Sequence, residues 1–509
     1  MSDKTIVLIY PTPTQGYAKE RRRDVHTVKR IYAPLTVMYL AAVLEEAGFK
    51  VLLLDQRLNS IEAISQKIED VGDILFFGIS TMTGTQIKNG LAIQRMLREH
   101  FDSKIPLVWG GVHPTLQPEE TVIHPLVDIV CQGEGELIVV KLAQALMTER
   151  PLQTVPGIFF KENGEIRKTM PSPKIDPLDR LPFPAWHHLK DHLNPAQYPV
   201  LATITTSRGC PYNCTYCYKF GMDNAGRGAF WRPFSIDRIM DEVDYLHDSY
   251  GFDIFESVTE NFIFQTSRAV EMIRRFKERK FKISAISSNF HTYKDDIIKE
   301  LPGFCDYVAY SPETGSSRIQ TMLRKKADFK KMKILNQKLV DINITTAHTF
   351  IFGFPFETDD DVRDTVKLCT DFKRINPHSR MAIYQYMPYP GAPLTDLMVS
   401  DYGLIMPEDL DGWTYSDMYG ELDKRFRPWL SEKQLIFLNK FQLLFNMLFN
   451  TYAELDQKLY DIYDSDPKIR KIMGDISTIP RATNPPFRYT LNERLTPTMR
   501  ERYSGRVMI

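Results

Sequence analysis

Short apolar runs alternate with amphipathic stretches from the start of the chain. Thr5 to Tyr10 is an apolar run closed by Pro11-Thr12-Pro13, which predicts a strand and then a loop. Pro34 to Ala47 carries apolar residues at helical spacing (Leu35, Met38, Tyr39, Ala42, Leu44) and stops at Gly48. Strand-like runs follow at Val51 to Asp55, Ile74 to Ser80, Pro106 to Trp109 and Val127 to Cys131. Helical stretches fall at Ile61 to Val71, Gln86 to His100 and Glu134 to Met147. This alternation predicts an α/β, doubly wound parallel sheet over residues 1–150. Ligands of such sheets lie beyond the carboxyl ends of the strands. Those ends read Tyr10-Pro11-Thr12, Asp55-Gln56, Ser80-Thr81-Met82-Thr83-Gly84, Gly110-Gly111-Val112-His113-Pro114 and Gly133-Glu134-Gly135-Glu136. Small and hydroxyl residues there let the backbone approach a nucleotide-sized ligand.

Residues 151–195 read as a bridge: a hairpin turning at Glu162-Asn163-Gly164, then a proline-rich extended linker from Pro171 to Pro184. From 196 to 395 the alternation resumes. Strands are predicted at 201–206, 253–258, 282–288, 305–311, 345–352 and 381–387, with helices at 235–250, 266–279, 328–341 and 358–375. After Leu394 the rhythm breaks into a loop containing Trp413, Tyr415, Tyr419 and Trp429. A long helix then runs from Ser431 to about Leu459, so residues 396–509 form a mostly helical C-terminal region. Its polar stripe is narrow. That pattern fits packing against the preceding domain, or a lid or membrane-facing surface for a large apolar substrate. The tail from Pro480 to Ile509 shows no clear pattern.

The composition is that of an ordinary globular protein of two or three domains: 509 residues, 43% hydrophobic and 25% charged. Lys+Arg and Asp+Glu balance at 64 each, so no global field favours nucleic acid. The N-terminus has no signal-peptide layout, and no run approaches the apolar length of a membrane span. Six cysteines are too few for a disulfide framework, which points to a reducing, cytoplasmic setting. Cys131, Cys305 and Cys369 are scattered and expected to be buried.

The other three are clustered, as C-x3-C-x2-C, in Arg208-Gly209-Cys210-Pro211-Tyr212-Asn213-Cys214-Thr215-Tyr216-Cys217. Three thiolates on one tight loop can hold three irons of a four-iron, four-sulfur cluster, leaving the fourth iron open to an amino-carboxylate ligand. A three-cysteine zinc knuckle is the alternative. It would want a fourth ligand nearby, and no Cys or His follows before His247.

This spacing, with an aromatic before the third cysteine, resembles the radical S-adenosylmethionine (SAM) superfamily, in which SAM fills the open iron site. The resemblance implies a partial (β/α)6 barrel over residues 196–395, with Cys210, Cys214 and Cys217 as cluster ligands. The strand ends match family patterns: Glu260-Asn261-Phe262, Asn289, Glu313-Thr314-Gly315-Ser316, Gly353-Phe354-Pro355-Phe356-Glu357-Thr358, and Pro390-Gly391-Ala392-Pro393 with Ala392 for the family's Thr. They imply SAM contacts from Tyr216, Glu260, Asn289, Glu313, Ser316 and Pro355, with Glu260 facing either the SAM ammonium or the substrate. Taken singly, Glu313 also reads as a helix cap and Glu357-Thr358 as a capping pair.

Pro34-Leu35, Gly110-Gly111-Val112-His113-Pro114-Thr115 and Gly133-Glu134-Gly135-Glu136 resemble the cobalamin-binding domain fused to many radical SAM enzymes. The implied corrinoid contacts are Thr12, Pro34, Leu35, Ser80, Thr81, Gly110, Gly111, His113, Gly133 and Glu134. Asp55-Gln56-Arg57-Leu58-Asn59-Ser60 lacks the His and Gly of an Asp-x-His-x-x-Gly motif, so histidine ligation of cobalt from this loop is not implied. His113 reads as a contact to the corrin edge or backbone rather than a cobalt ligand.

The combined resemblance implies an enzyme with three cofactors: a 4Fe-4S cluster, SAM and cobalamin. SAM would be cleaved reductively to a 5′-deoxyadenosyl radical, which takes hydrogen from an unactivated carbon of a small molecule, and methylcobalamin would deliver the methyl group. An electron donor such as flavodoxin or ferredoxin is then required. The alternatives are an oxidative cyclase like the anaerobic magnesium-protoporphyrin monomethyl ester cyclase, and a corrinoid-binding protein without catalysis.

Overall fold

Buried apolar runs build two parallel sheets in this computed structural model, which describes residues 4–13, 31–193, 200–325, 327–415, 424–450, 461 and 463–480. The chain divides into two units. The first comprises Met1–His192, Ser207–Glu242 and Met387–Pro428; the second comprises Leu193–Thr206, Val243–Tyr386 and Trp429–Ile509.

The first unit is organised on a seven-stranded sheet. Its strands are β1 (Thr5–Tyr10), β2 (Lys50–Asp55), β3 (Ile74–Ser80), β4 (Leu107–Gly110), β5 (Ile129–Cys131), β6 (Ile158–Glu162) and β7 (Glu165–Lys168), in the order β2-β1-β3-β4-β5-β6-β7. Strands β1 to β5 pair in parallel. Ile6, Val7, Leu8 and Ile9 of β1 are buried without alternation, as expected for a strand covered on both faces. The order reverses at β1, which opens a crevice beyond the ends of β1 and β3. The hairpin expected in the bridge is instead the antiparallel edge of this sheet, with Cys131 opposite Ile158. After β4 the expected loop winds into two short helices, Val112–Leu116 and Pro118–Ile123, the second opened by a proline in its first turn.

The second unit carries a six-stranded parallel sheet in sequential order: β8 (Thr203–Ile204), β9 (Ile254–Ser257), β10 (Lys282–Ser287), β11 (Cys305–Ala309), β12 (Thr345–Phe352) and β13 (Arg380–Gln385). Sequential order without pairing of the two outer strands is the partial (β/α)6 barrel. The six-residue strand expected at 201–206 contributes only Thr203 and Ile204 to this sheet, paired with Glu256 and Ser257.

The rhythm continues one element further than the apolar pattern shows. Pro393–Asp401 is a helix, with Pro393 in its first turn and Leu394, Thr395 and Met398 buried. The long C-terminal helix runs Glu432–Asn450. It packs on β12 and β13: the Phe352 and Phe441 rings lie 5.1 Å apart, and the Gln442 carboxamide donates to the Ile383 carbonyl at 3.2 Å. The packing expectation therefore holds for this helix. Residues 451–459 and the tail beyond 480 lie outside the described residues. Among the described residues, no helix is long and apolar enough to cross a membrane. Cys131, Cys305 and Cys369 are buried, as expected.

Candidate functional site

In the first unit, the carboxyl ends of β1, β3, β4 and β5 meet over a cavity of about 80 Å³. Leu8, Gly78, Ser80, Gly110, Gly133 and Val139 are among its walls. Gly111 is fixed by geometry: its φ is +97°, and a Cβ there would stand 2.7 Å from the Thr81 carbonyl and 2.8 Å from Ser80 Oγ. Gly133, at φ +101°, would meet only the Ala225 carbonyl at 3.8 Å, so open space borders its backbone. The loop after β1 is pinned by side chains that its own sequence does not reveal. Gln86 donates to the Pro11 carbonyl, Asn89 donates to the Thr12 carbonyl, and Gln56 accepts from Thr12 N, each at 2.8 Å. Pro34 is buried and caps the helix Leu35–Glu46, its carbonyl accepting from Val37 N and Met38 N. Leu35 is half-buried in the first turn of that helix.

Buried polar atoms collect at this edge. Among the described residues, the buried Thr12 Oγ1, Thr81 Oγ1 and His113 Nε2 find no hydrogen-bond partner. His113 is fully enclosed, with Nδ1 3.1 Å from Thr83 Oγ1 and its ring edge-on to Trp413 at 5.3 Å. Burial pushes its pKa down to about 3, so the ring is neutral. Glu134 departs from expectation. Its carboxylate is taken by Ile175 N at 2.6 Å and by Arg232, with Arg208 at 3.8 Å. Burial works to raise its pKa, but these partners outweigh it and hold the group below the usual range. Two guanidiniums and an amide thus engage the oxygens of Glu134, which was expected to contact the corrinoid.

The cysteine loop belongs to the same unit. Gly209 sits at φ +85°, where a Cβ would fall 1.7 Å from the Phe230 carbonyl, so no other residue fits. Cys217 N donates to the Cys214 carbonyl at 3.3 Å, and Leu394 N donates to the Thr215 carbonyl at 2.8 Å. Gly221 and Gly391 approach so closely that a Cβ on Gly221 would lie 2.9 Å from Gly391 Cα. Behind the loop, Arg208 donates to Glu136 at 2.5 Å. The three thiols and Tyr216 are partly exposed. Burial raises the Cys217 pKa, and the neighbouring Cys214 and Cys210 add to the rise. A metal that takes the proton's place relieves both effects.

A single tetrahedral zinc would draw thiolate sulfurs to roughly 3.8 Å from one another. Among the described residues, the only three metal-ligating side chains whose donor atoms all lie within 4.8 Å are Glu45, His187 and His188. The cysteine loop supplies three sulfur donors, one short of a four-coordinate zinc site and the number that leaves one iron of a four-iron cluster open. The loop thus fits an iron–sulfur cluster, and the glycine-walled cavity, with the buried hydroxyls of Thr12 and Thr81 at the same sheet edge, fits one arm of a larger cofactor.

In the second unit, the sheet's carboxyl end gathers the remaining predicted residues. Glu260 is exposed in the turn after β9. Asn261 is buried and its Oδ1 accepts from Asn289 N at 3.3 Å, joining two strand ends. Asn289 Oδ1 in turn accepts from His291 N at 3.2 Å. Glu313 is held at φ +65° by backbone bonds with Thr349 and Ile351, and its carboxylate pairs with Lys325 at 3.1 Å. Gly315 is obligatory, because a Cβ would lie 2.4 Å from the Asp364 carbonyl.

Ser316, not Glu313, is the helix cap: its Oγ accepts from Ile319 N and donates to Asp361 at 2.5 Å. It is 2% exposed, with its hydroxyl, expected to contact SAM, engaged by Asp361. Asp361 completes a capping box with Thr358, so Glu357 is freed from capping. Glu357 instead accepts from Gly353 N at 2.7 Å. Pro355 is partly exposed in the turn between them. Sequence reasoning missed Lys325 and Asp361. It named Ser80, Gly110, Gly111 and Gly133 on the cavity wall but not Gly78, a glycine inside a strand, which was the further signal.

Two family models match the chain: the B12 binding domain over residues 22–143 and the radical SAM superfamily over 204–369. An uncharacterized methyltransferase of Pyrococcus horikoshii is 30% identical over 411 residues, covering 78% of this chain and 83% of that protein. The anaerobic magnesium-protoporphyrin IX monomethyl ester cyclase of Synechocystis sp. is 30% identical over 274 residues, 52% of each chain. Among solved structures, the radical SAM methyltransferase TsrM of Kitasatospora setae, with cobalamin and a 4Fe-4S cluster bound, superposes with a TM-score of 0.64. It is 14% identical and is matched over 92% of this chain and 99% of its own. The cobalamin-dependent SAM radical enzyme OxsB, with aqua-cobalamin and SAM bound, gives 0.67 at 16% identity, over 91% and 71% of the two chains.

Proposed function

The chain belongs to the cobalamin-dependent radical SAM enzymes, with a 4Fe-4S cluster, SAM and cobalamin as cofactors, and from that premise we propose that it methylates an unactivated carbon of a small molecule. One observation carries the reading. The three-cysteine loop and the glycine-walled sheet edge occur in a single unit, tied by Arg208 to Glu136 and Glu134. When bound, the cluster supplies the electron that cleaves SAM, and the corrinoid supplies the methyl group.

The chain's own residues divide the remaining work. We assign residues 1–150 to the corrinoid, 151–195 to a bridge, 196–395 to SAM chemistry and 396–509 to a helical cover. Cys210, Cys214 and Cys217 hold three irons and leave the fourth for SAM. The backbone at Tyr216 offers hydrogen bonds to adenine. Glu313, steadied by Lys325, accepts from the SAM ammonium or ribose, and Ser316 positions that turn from behind. Glu260, Asn289 and Pro355 complete the strand-end surface. Thr12, Ser80, Thr81, Gly110, Gly111 and Gly133 receive the corrinoid, with Pro34 and Leu35 fixing the adjoining helix. His113 is too enclosed to reach cobalt and supports the loop as a neutral ring. The electron comes from a small donor of the flavodoxin or ferredoxin kind.

The test is anaerobic reconstitution with iron, sulfide and cobalamin, followed by methyl-labelled SAM and candidate substrates. A cluster signal in electron paramagnetic resonance that shifts with SAM, and label in the product, support the proposal. The similarity to the cyclase favours a second reading, oxidation without methyl transfer. A product without label, formed with 5′-deoxyadenosine, selects it. A bound corrinoid with no SAM cleavage overturns both.

A further inference from the structure

Away from both sets of residues, the first unit holds a second cluster of metal-ligating side chains. The 3₁₀ segment Trp186–His192 packs on the helix Leu35–Glu46, fastened by Ala185 N donating to the Met38 carbonyl at 3.2 Å. Trp186 and Leu189, three residues apart, are buried on the inner side of that segment. His187 and His188 turn the other way, to Glu45 in the last turn of the helix. His188 Nε2 lies 2.7 Å and His187 Nε2 3.1 Å from the same oxygen, Glu45 Oε1. The two rings are 4.4 Å apart.

The three side chains converge on one point. Each neutral imidazole with its proton on Nε2 can donate to that oxygen, and loss of that proton exposes a lone pair aimed at the same point. Glu45 also stands at a helix C-terminus, where the macrodipole disfavours an anion, and the last turn contains no basic residue to offset it. A divalent cation suits such a cluster, because neutral imidazoles donate lone pairs and the metal charge offsets a carboxylate at a helix C-terminus. All three donor atoms lie within 4.8 Å of one another. Tetrahedral zinc, with ligand bonds of about 2.0–2.2 Å, spaces its donors by roughly 3.3 Å, against 3.1 and 2.7 Å from Glu45 Oε1 to the two Nε2 atoms.

We propose that Glu45, His187 and His188 form a zinc site, closed by water on the open side, where the His187 side chain is 57% exposed. The site cross-links the helix whose Thr36, Val37 and Leu40 line the cavity to the segment that follows the proline-rich stretch. It is separate from the cysteine loop and takes no part in the proposed reaction.

The test uses holoenzyme loaded with iron–sulfur cluster and cobalamin, so that the thiols are occupied, and zinc chloride as probe. One zinc per chain is expected after dialysis. Its X-ray absorption edge should report nitrogen and oxygen neighbours at about 2.0 Å, two imidazole outer shells and no sulfur. His187→Ala and Glu45→Gln, both at exposed or half-exposed positions, should each weaken zinc binding roughly 100-fold while iron and corrinoid contents stay unchanged. Failure to retain zinc, sulfur in its first shell, or retention undiminished in His187→Ala would each overturn the proposal. None of these outcomes depends on turnover, so the methyl-transfer reading stands or falls separately.

Discussion

Arg208 donates to the carboxylate of Glu136 at 2.5 Å, which places a guanidinium two residues before Cys210 against the first turn of the helix Gly135–Met147. Glu136 is 6% exposed. A carboxylate near a helix N-terminus is favourably placed, but one this buried depends on its partner. Arg208→Ala leaves Glu136 unpaired and removes one of the partners of Glu134. The expected cost is about 3 kcal/mol, with iron and corrinoid contents falling together in anaerobic reconstitution. Loss of iron alone would show that the pair serves only the cysteine loop.

The corrinoid reading is tested without touching a polar group. Gly110 has an unstrained backbone, and a Cβ there meets only Cys131 at 3.8 Å. Gly110→Val therefore adds methyl groups into the cavity with little strain on the strand. Equilibrium dialysis should show cobalamin binding reduced at least roughly 100-fold, about the cost of a few kcal/mol of misfit. Iron content should remain as in the parent protein.

Close backbone approach makes Gly315 a test of the SAM-facing turn. A Cβ would stand 2.4 Å from the Asp364 carbonyl and 2.6 Å from Thr365 Cα, neither of which is a flexible end. Gly315→Ala should push Glu313 and Ser316 out of place and abolish the SAM-induced change in the cluster's resonance signal. The unperturbed cluster signal and the corrinoid content should persist, because the cysteine loop and the cavity walls belong to the first unit.

The sheets and the cysteine loop were legible because each rests on a local pattern: apolar runs at strand length, and three thiols at fixed spacing. Side-chain roles at the strand ends were less so. Ser316 carries the right motif, yet its hydroxyl is consumed by Asp361, a partner 45 residues away that no local pattern names. Glu134 is likewise engaged by Arg232, 98 residues on. The helix Pro393–Asp401 was missed because a proline in its first turn reads equally as a loop. The two histidines after Trp186 drew no attention in sequence, since Glu45 lies more than 140 residues before them.

Glu357 gives a pH dependence with a definite sign. Burial pushes its carboxyl from 4.5 up to about 8; a hydrogen bond from Gly353 opposes the rise and the charge of Asp361 adds to it. Asp361 itself is held at about 2: burial would raise it, but hydrogen bonds from Arg318, Ser316 and Thr358 prevail. The turn therefore keeps a neutral acid beside an ionised one at neutral pH. Between 4.5 and about 8 the folded chain holds a proton on Glu357 that the unfolded chain has released, so stability falls as pH climbs through that window. Glu357→Gln keeps an oxygen for Gly353 N and removes the titration. Its denaturation midpoint should be flatter across the window and exceed that of the parent above it, by a margin on the order of a few kcal/mol. Parallel pH profiles for the two proteins would mean that Glu357 is ionised in the folded chain, and the buried-acid reading of this turn would fail.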